Sequence, residues 1–218
     1  MPDRDPPSRR VGDFTLHAIS DGLFRLDGGA MFGTVPKVLW ERAKPADELN
    51  RIDLCAACLV VQGGGSTVLI EGGIGRKYDD KALQRFGLDP VTSIDEELGR
   101  LGLGPDDVDH VILTHLHFDH AGALTVPDGS GAPRPHFPRA RHHVHAVEWE
   151  AATHPHARSR ASYYPDDWMP IHDAGLLEVH EGEGPLELLP GIVAERVGGH
   201  TKGLSGVTVG EDGGDAAA

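Results

Sequence analysis

Four side chains able to ligate a metal ion fall within six residues in the run Thr114-His115-Leu116-His117-Phe118-Asp119-His120, directly after the apolar stretch Val111-Ile112-Leu113. Side chains alternate in an extended segment, so His115 and His117 point to one side, and a following turn can carry Asp119 and His120 to a neighbouring point. Imidazole nitrogens suit zinc, and a carboxylate among them suits a second divalent ion, whereas magnesium and calcium prefer all-oxygen shells. Iron and manganese stay open on the same donors. The run is a cradle for one or two metal ions. With 14 histidines in the chain, a histidine-rich surface loop is the competing reading. Scattered histidines would not be expected in this order at the end of an apolar strand, with the small pair Ala121-Gly122 after them.

A zinc site takes about four ligands, of which a catalytic site leaves one to water. Further ligands must therefore come from elsewhere in the chain. The best candidate is His200 in Val197-Gly198-Gly199-His200-Thr201-Lys202-Gly203, where glycines after an apolar stretch allow close backbone approach. Alone, that histidine is a weak signal; beside the first motif it is a strong one. The segment 142–172 is rich in polar and aromatic groups and is expected to meet substrate. Within it, Tyr163 or Tyr164 is nominated to polarise a substrate carbonyl, against the ordinary packing role of such aromatics. His142, His143, His145, His154, His156 and His172 belong to no motif and are expected to be exposed or ordinarily hydrogen-bonded.

The motif needs a strand behind it, and residues 109–113 supply one. Residues 14–19 and 23–26 flank Ser20-Asp21-Gly22 as a hairpin would, and residues 54–61 and 67–70 flank Gly63-Gly64-Gly65 in the same way. Ser93-Ile94-Asp95-Glu96 has the form of a capping box, opening a helix whose Ile94, Leu98 and Leu101 share one face. Residues 192–197 and 204–209 are later strands, and the Gly- and Pro-rich segment 127–138 is expected to be loop. Cys55 and Cys58 sit inside an apolar strand, three apart and so on opposite faces, which favours packing over a shared redox or metal role.

Two hundred and eighteen residues can bury one substantial core, and no linker or internal repeat is evident. A net charge of −14 provides no basic stripe for nucleic acid or anionic membranes, so neither is an expected partner. Residues 1–10 are charged and proline-rich without an apolar h-region; they are expected as a flexible tail ahead of a domain over 11–218, in a cytoplasmic protein. No stretch approaches the roughly 18 apolar residues of a membrane span.

His115, His117, Asp119 and His120, with His200 downstream, resemble the metallo-β-lactamase superfamily. The likeness runs from the early strands through Leu69-Ile70-Glu71-Gly72-Gly73 and the capped helix to His200. Within the superfamily, Asp27-Gly28-Gly29-Ala30-Met31-Phe32-Gly33-Thr34-Val35-Pro36-Lys37 is similar to the branch of N-acyl-homoserine-lactone lactonases and methyl-parathion-hydrolase-like enzymes. The resemblance implies an α+β chain folded as an αββα sandwich with the metals at one sheet edge. His115, His117 and His200 would hold the first ion, and Asp119 with His120 the second, while Met31 and Phe32 line the apolar side of the pocket.

Two departures from the family pattern stand out. The bridging aspartate and last histidine of the second site are not visible, for only 18 residues follow His200 and no apolar strand among them would return a carboxylate such as Asp215 to the metals. The domain is accordingly expected to lack its last strands and helices. Glu71 stands where the family usually has aspartate in support of the ligands, and its extra methylene either displaces a ligand or is absorbed by the loop.

The implied activity is hydrolysis of a lactone, ester or related small molecule by a metal-bound hydroxide, with one or two zinc ions and with Asp119 orienting the attack. Two other outcomes compete with it. One is a non-catalytic fragment of such an enzyme; the other is a mononuclear iron oxygenase of the persulfide-dioxygenase type, which needs only two histidines and a carboxylate. Uncovered apolar faces and sheet edges would drive self-association. A monomer with a sharp, concentration-independent melting transition would count against that expectation.

Overall fold

A computed structural model describes residues 6–88 and 92–210. In chain order its elements are β1 (Ser8–Val11), β2 (Phe14–Asp27), α1 (Gly28–Phe32), α2 (Lys37–Trp40), β3 (Arg51–Gly63), β4 (Ser66–Ile70), α3 (Asp80–Phe86) and α4 (Ile94–Arg100). There follow β5 (His110–Ile112), α5 (Phe118–Ala121), β6 (Thr125–Pro127), β7 (Pro133–Pro135), β8 (Arg141–His145), α6 (Ala146–Thr153), α7 (Pro165–Asp173), β9 (Leu177–His180), β10 (Leu186–Leu189), β11 (Ile192–Arg196) and β12 (Ser205–Val209). One sheet has the order β1-β2-β3-β4-β5-β8-β9, a second the order β10-β11-β12, and β6 with β7 forms a small ribbon. From β1 to β4 the pairing is antiparallel; β5, β8 and β9 add in parallel.

Two apolar layers follow from the alternation of side chains in these strands. One face of the large sheet packs Leu69, Val111 and Val144 against Ile94 and Leu98 of α4 and Trp168 and Ile171 of α7. The other packs Leu16, Val61, Val68 and Ile112 against Ile192 and Val209 of the small sheet. Helices, large sheet and small sheet are thus three successive layers. The expected capping box is present, with Ser93 and Glu96 each bonding the other's backbone N–H. Cys58 is buried and Cys55 exposed, both unbridged, as opposite faces of one strand require. No helix among the described residues is long and apolar enough to cross a membrane.

Three local expectations are corrected. Residues 14–27 are one long strand and not a hairpin: pairing with β3 continues on both sides of a register shift between Ser20 and Leu23. The turn-like residues Asp21 and Gly22 form a bulge, which kinks the strand without ending it. Asp21 is thereby turned inward, where it accepts N–H bonds from Ile74 (2.9 Å), Gly75 (2.6 Å) and Ile94 (2.8 Å). Residues 8–10, expected within the tail, are instead strand, because β1 finds a ladder on β2. The loop expected over 127–138 contains the β6–β7 ribbon.

A buried ion pair ties the segment after β4 to α7: Lys77 Nζ lies 2.6 Å from Asp167 Oδ1, and the ammonium also meets the Gly122 carbonyl oxygen. Burial pushes the Asp167 carboxyl up to about 6 despite the Lys77 charge beside it. Lys77→Met, which strands that carboxylate, should lower stability by about 3 kcal/mol in urea unfolding. Adding Asp167→Asn should recover part of the loss; an unchanged midpoint for Lys77→Met would refute this account of the pair.

Candidate metal centre

β5 is bonded on both sides, to β4 and β8, and the chain leaves it through Leu113, whose N–H bonds the His143 carbonyl at 3.0 Å. The motif therefore opens at the carboxyl ends of parallel strands, where neighbouring loops diverge and leave a crevice. Thr114 fixes its first residue twice: its N–H donates to Glu71 Oε1 (3.3 Å), and its carbonyl accepts from Ser205 N (2.9 Å) at the start of β12. His115 and His117 are buried, and His117 is the residue before α5, so that helix carries Asp119 and His120 round to a second position.

The rings converge. The His115 centroid lies 4.8 Å from His117, 4.1 Å from His120 and 5.0 Å from His200. His117 Nδ1 and His200 Nε2 are 3.1 Å apart. Two donor triads result, His115–His117–His200 and Glu71–His115–His120, each with its ligating atoms within 4.8 Å of one another. Asp119 stands outside both, with Oδ2 3.5 Å from His120 Nε2. Of the residues selected from the sequence, His115, His117, His120 and His200 are brought together and Asp119 flanks them. The extra methylene of Glu71 carries its carboxylate inward to 3.2 Å from His120 Nδ1, on a backbone held at a φ of 71°. Asp215 lies outside the described residues.

Whether these residues fit a cation can be judged from their unpaired atoms. His115 Nε2 and His117 Nε2 are buried without a hydrogen-bond partner, while Glu71 Oε2 and His120 Nδ1 face one another at 3.2 Å. Each unsatisfied imidazole nitrogen costs about 1–3 kcal/mol, a cost that a divalent ion in the crevice would relieve. Burial, and then the neighbouring His120, His117 and His200, pull the His115 imidazole down to about 2; burial, then His200 and His120, pull His117 to about 4. Both are therefore neutral at pH 7, the form that ligates. The residues fit a divalent metal.

Beneath the cradle lies a carboxylate that no motif announced. Glu148, fully buried in α6, accepts from Leu116 N (3.0 Å) and Tyr163 Oη (3.0 Å) through Oε1 and from Thr201 Oγ1 (2.6 Å) through Oε2. It joins the residue between His115 and His117 to the residue after His200. The His200 loop reaches α6 so closely that a Cβ at Gly203 would lie 2.1 Å from the Glu148 backbone nitrogen. Gly203 was thus a sequence signal for close approach, although nothing in the sequence named what it approaches.

The two nominated tyrosines are placed differently. The Tyr163 ring packs 4.7 Å from that of His117 and its hydroxyl proton is given to Glu148. Tyr164 stacks on Phe118 and meets Tyr78 edge-on. Phe32 stacks on Trp40, and Met31 is half exposed.

With this geometry in place, the chain can be set beside known proteins. The family model for the metallo-beta-lactamase superfamily matches residues 56–217. A probable metallo-hydrolase of Mycobacterium tuberculosis is 33% identical over 125 residues, covering 52% of this chain and 36% of that protein. An N-acyl homoserine lactonase of Bacillus thuringiensis is 34% identical over 106 residues, 49% of this chain and 34% of that protein. The matches thus span only about a third of these relatives' length. The crystal structure of a probable metal-dependent hydrolase from Staphylococcus aureus is 35% identical and superposes with a TM-score of 0.85, over 96% of this chain and 73% of that one.

If Glu148 holds the two ligand loops together, Glu148→Gln should weaken zinc binding by about 10- to 100-fold in a competition titration, with circular dichroism unchanged. Gly203→Ala, which pushes the His200 loop off α6, should do the same. Wild-type affinity in both variants would show that the cradle does not depend on this support.

Proposed function

The chain belongs to the metallo-beta-lactamase superfamily, and on that footing we propose that it is a zinc-dependent hydrolase of a small-molecule lactone or ester. The observation that carries the reading is the convergence of buried imidazole and carboxylate donor atoms on one crevice. Imidazole-rich donor sets suit zinc. His115, His117 and His200 would hold one ion, and His120 with Asp119 and Glu71 a second. When bound, such ions lower the pKa of a water toward about 7 and polarise a carbonyl oxygen.

The chain's own residues supply the rest. Asp119 Oδ2 is partly exposed beside His120 Nε2, so it can take the proton of the attacking water and return it to the alcohol oxygen as the acyl C–O bond breaks. Glu148 and Tyr163 keep His117 and the His200 loop in register without touching substrate. Both cysteines lie in β3 and neither belongs to the cradle; in this reading the nucleophile is water. The lactone assignment leans on the N-acyl homoserine lactonase relative. A second reading draws on the Glu71–His115–His120 triad: two histidines and one carboxylate also suit an iron oxygenase of the persulfide-dioxygenase type.

The test is to load the chain with Zn2+, or anaerobically with Fe2+, and assay N-acyl lactones, p-nitrophenyl esters and persulfide-dependent oxygen uptake. Zinc-dependent ring opening is expected, abolished by chelation and restored by Zn2+. Asp119→Asn should lower kcat by about 100-fold or more, the scale of general acid–base assistance. A folded, zinc-saturated chain without hydrolysis above background would overturn the proposal, and oxygen uptake by the iron form alone would favour the second reading.

A further inference from the structure

A second group of ligand-type side chains comes together on the large sheet and shares no residue with the cradle. In the parallel register Ile112 pairs with His143 and His143 with Glu178, while His145 pairs with His180. Ile112 belongs to the layer between the sheets, so strand alternation puts His143, Glu178 and His180 on that same face. The imidazoles of His110, His143 and His180 stack across three adjacent strands at 5.2 and 5.1 Å. His143, itself buried, meets His110 Nδ1 with Nε2 at 2.9 Å and His180 Nε2 with Nδ1 at 2.8 Å.

The carboxylate is divided between two duties. Arg141 takes Glu178 Oε1, while Oε2 faces His143 Nδ1 at 3.6 Å. The donor atoms of His143, Glu178 and His180 all lie within 4.8 Å of one another. His145 is committed elsewhere, with Nε2 on the Gly182 carbonyl and Nδ1 accepting from Val147 N. Beside the triad is a cavity of about 30 Å³ lined in part by His143, His180, Glu181 and Arg196, room for one or two waters.

We propose that His143, Glu178 and His180 form a second, structural site for a divalent transition-metal ion, completed by water from this cavity. Two imidazoles and a carboxylate are a transition-metal donor set, not one for calcium or magnesium. Nitrogens 2.8 Å apart hold an ion at roughly 2.0–2.1 Å from each only with a bite near a right angle, which octahedral or square-planar ions such as Ni2+ accept better than tetrahedral Zn2+. Burial, then His180 and His110, keep His143 neutral by pulling it to about 4, so no proton must leave before an ion binds. The ion would pin the last strand of the large sheet, β9, to its neighbour β8.

The experiment is a Ni2+ titration by calorimetry, with thermal melting, on the full chain carrying His115→Ala and His117→Ala to disable the cradle. One equivalent of Ni2+ is expected to bind and to raise the melting midpoint, as any ligand of the folded state does. His180→Ala, and independently the isosteric and partly exposed Glu178→Gln, should each weaken binding by about tenfold or more and remove the thermal shift. In the otherwise wild-type chain, His180→Ala should leave Zn2+ binding at the cradle unchanged. Absence of Ni2+ binding in the disabled chain, or binding and thermal shift indifferent to Glu178→Gln, would overturn the proposal.

Discussion

A carboxylate with no exposed surface must be satisfied by donors from the protein, and Glu148 collects them from three separate stretches of chain. Leaving such a group unpaired costs several kcal/mol, while hydrogen bonds to a charged acceptor return about 1.5–3 kcal/mol each. The arrangement is therefore close to all-or-none. With Leu116, Tyr163 and Thr201 in place, the strand-end motif and the His200 loop stand against each other, with His117 Nδ1 and His200 Nε2 3.1 Å apart. The burial of one acid thus joins the two loops that carry His117 and His200.

Asp21 plays the corresponding part at the other side of the motif. Its three backbone partners come from the turn after β4 and the first residue of α4, so one side chain fixes both the glycine turn beside Glu71 and the angle at which the helix enters. Burial raises its pKa, and only those N–H groups and Arg76 hold it down. Two buried acids, not the ligands themselves, set the walls between which the ligands sit.

Much of this was legible in the sequence where the signal is local. Apolar runs and the turn residues beside them pointed to β3, β4, β11 and β12, the capping box to α4, and spacing to the neighbouring His115, His117 and His120, with Asp119 at their flank. What failed were signals whose meaning depends on partners far away. Ser20-Asp21-Gly22 has turn composition, yet the distant N–H groups waiting for Asp21 make it a bulge. Glu148 lies in an unremarked helical stretch, and its role exists only once three other segments surround it. The histidines make the contrast plainest: those of the cradle are mostly neighbours in sequence, whereas His143 and His180 meet across a strand register that spacing along the chain does not encode. Tyr163 sits beside His117 as expected of a residue at the site, but its hydroxyl is taken by an acid that sequence reasoning had no reason to place there.

The two halves of the cradle are separated by 83 residues, from His117 to His200. Synthesis proceeds from the N-terminus at about 5–20 residues per second, so roughly 4–17 s pass between the making of His117 and the making of His200. Over that interval Glu71, His115, His117 and His120 already exist, while His200 and the Thr201 anchor do not. The triad of His115, His117 and His200 is thus completed late, by the segment that closes the crevice and not by the motif that announces it. Whatever ion is picked up early has to survive, or be exchanged during, the docking of that last loop.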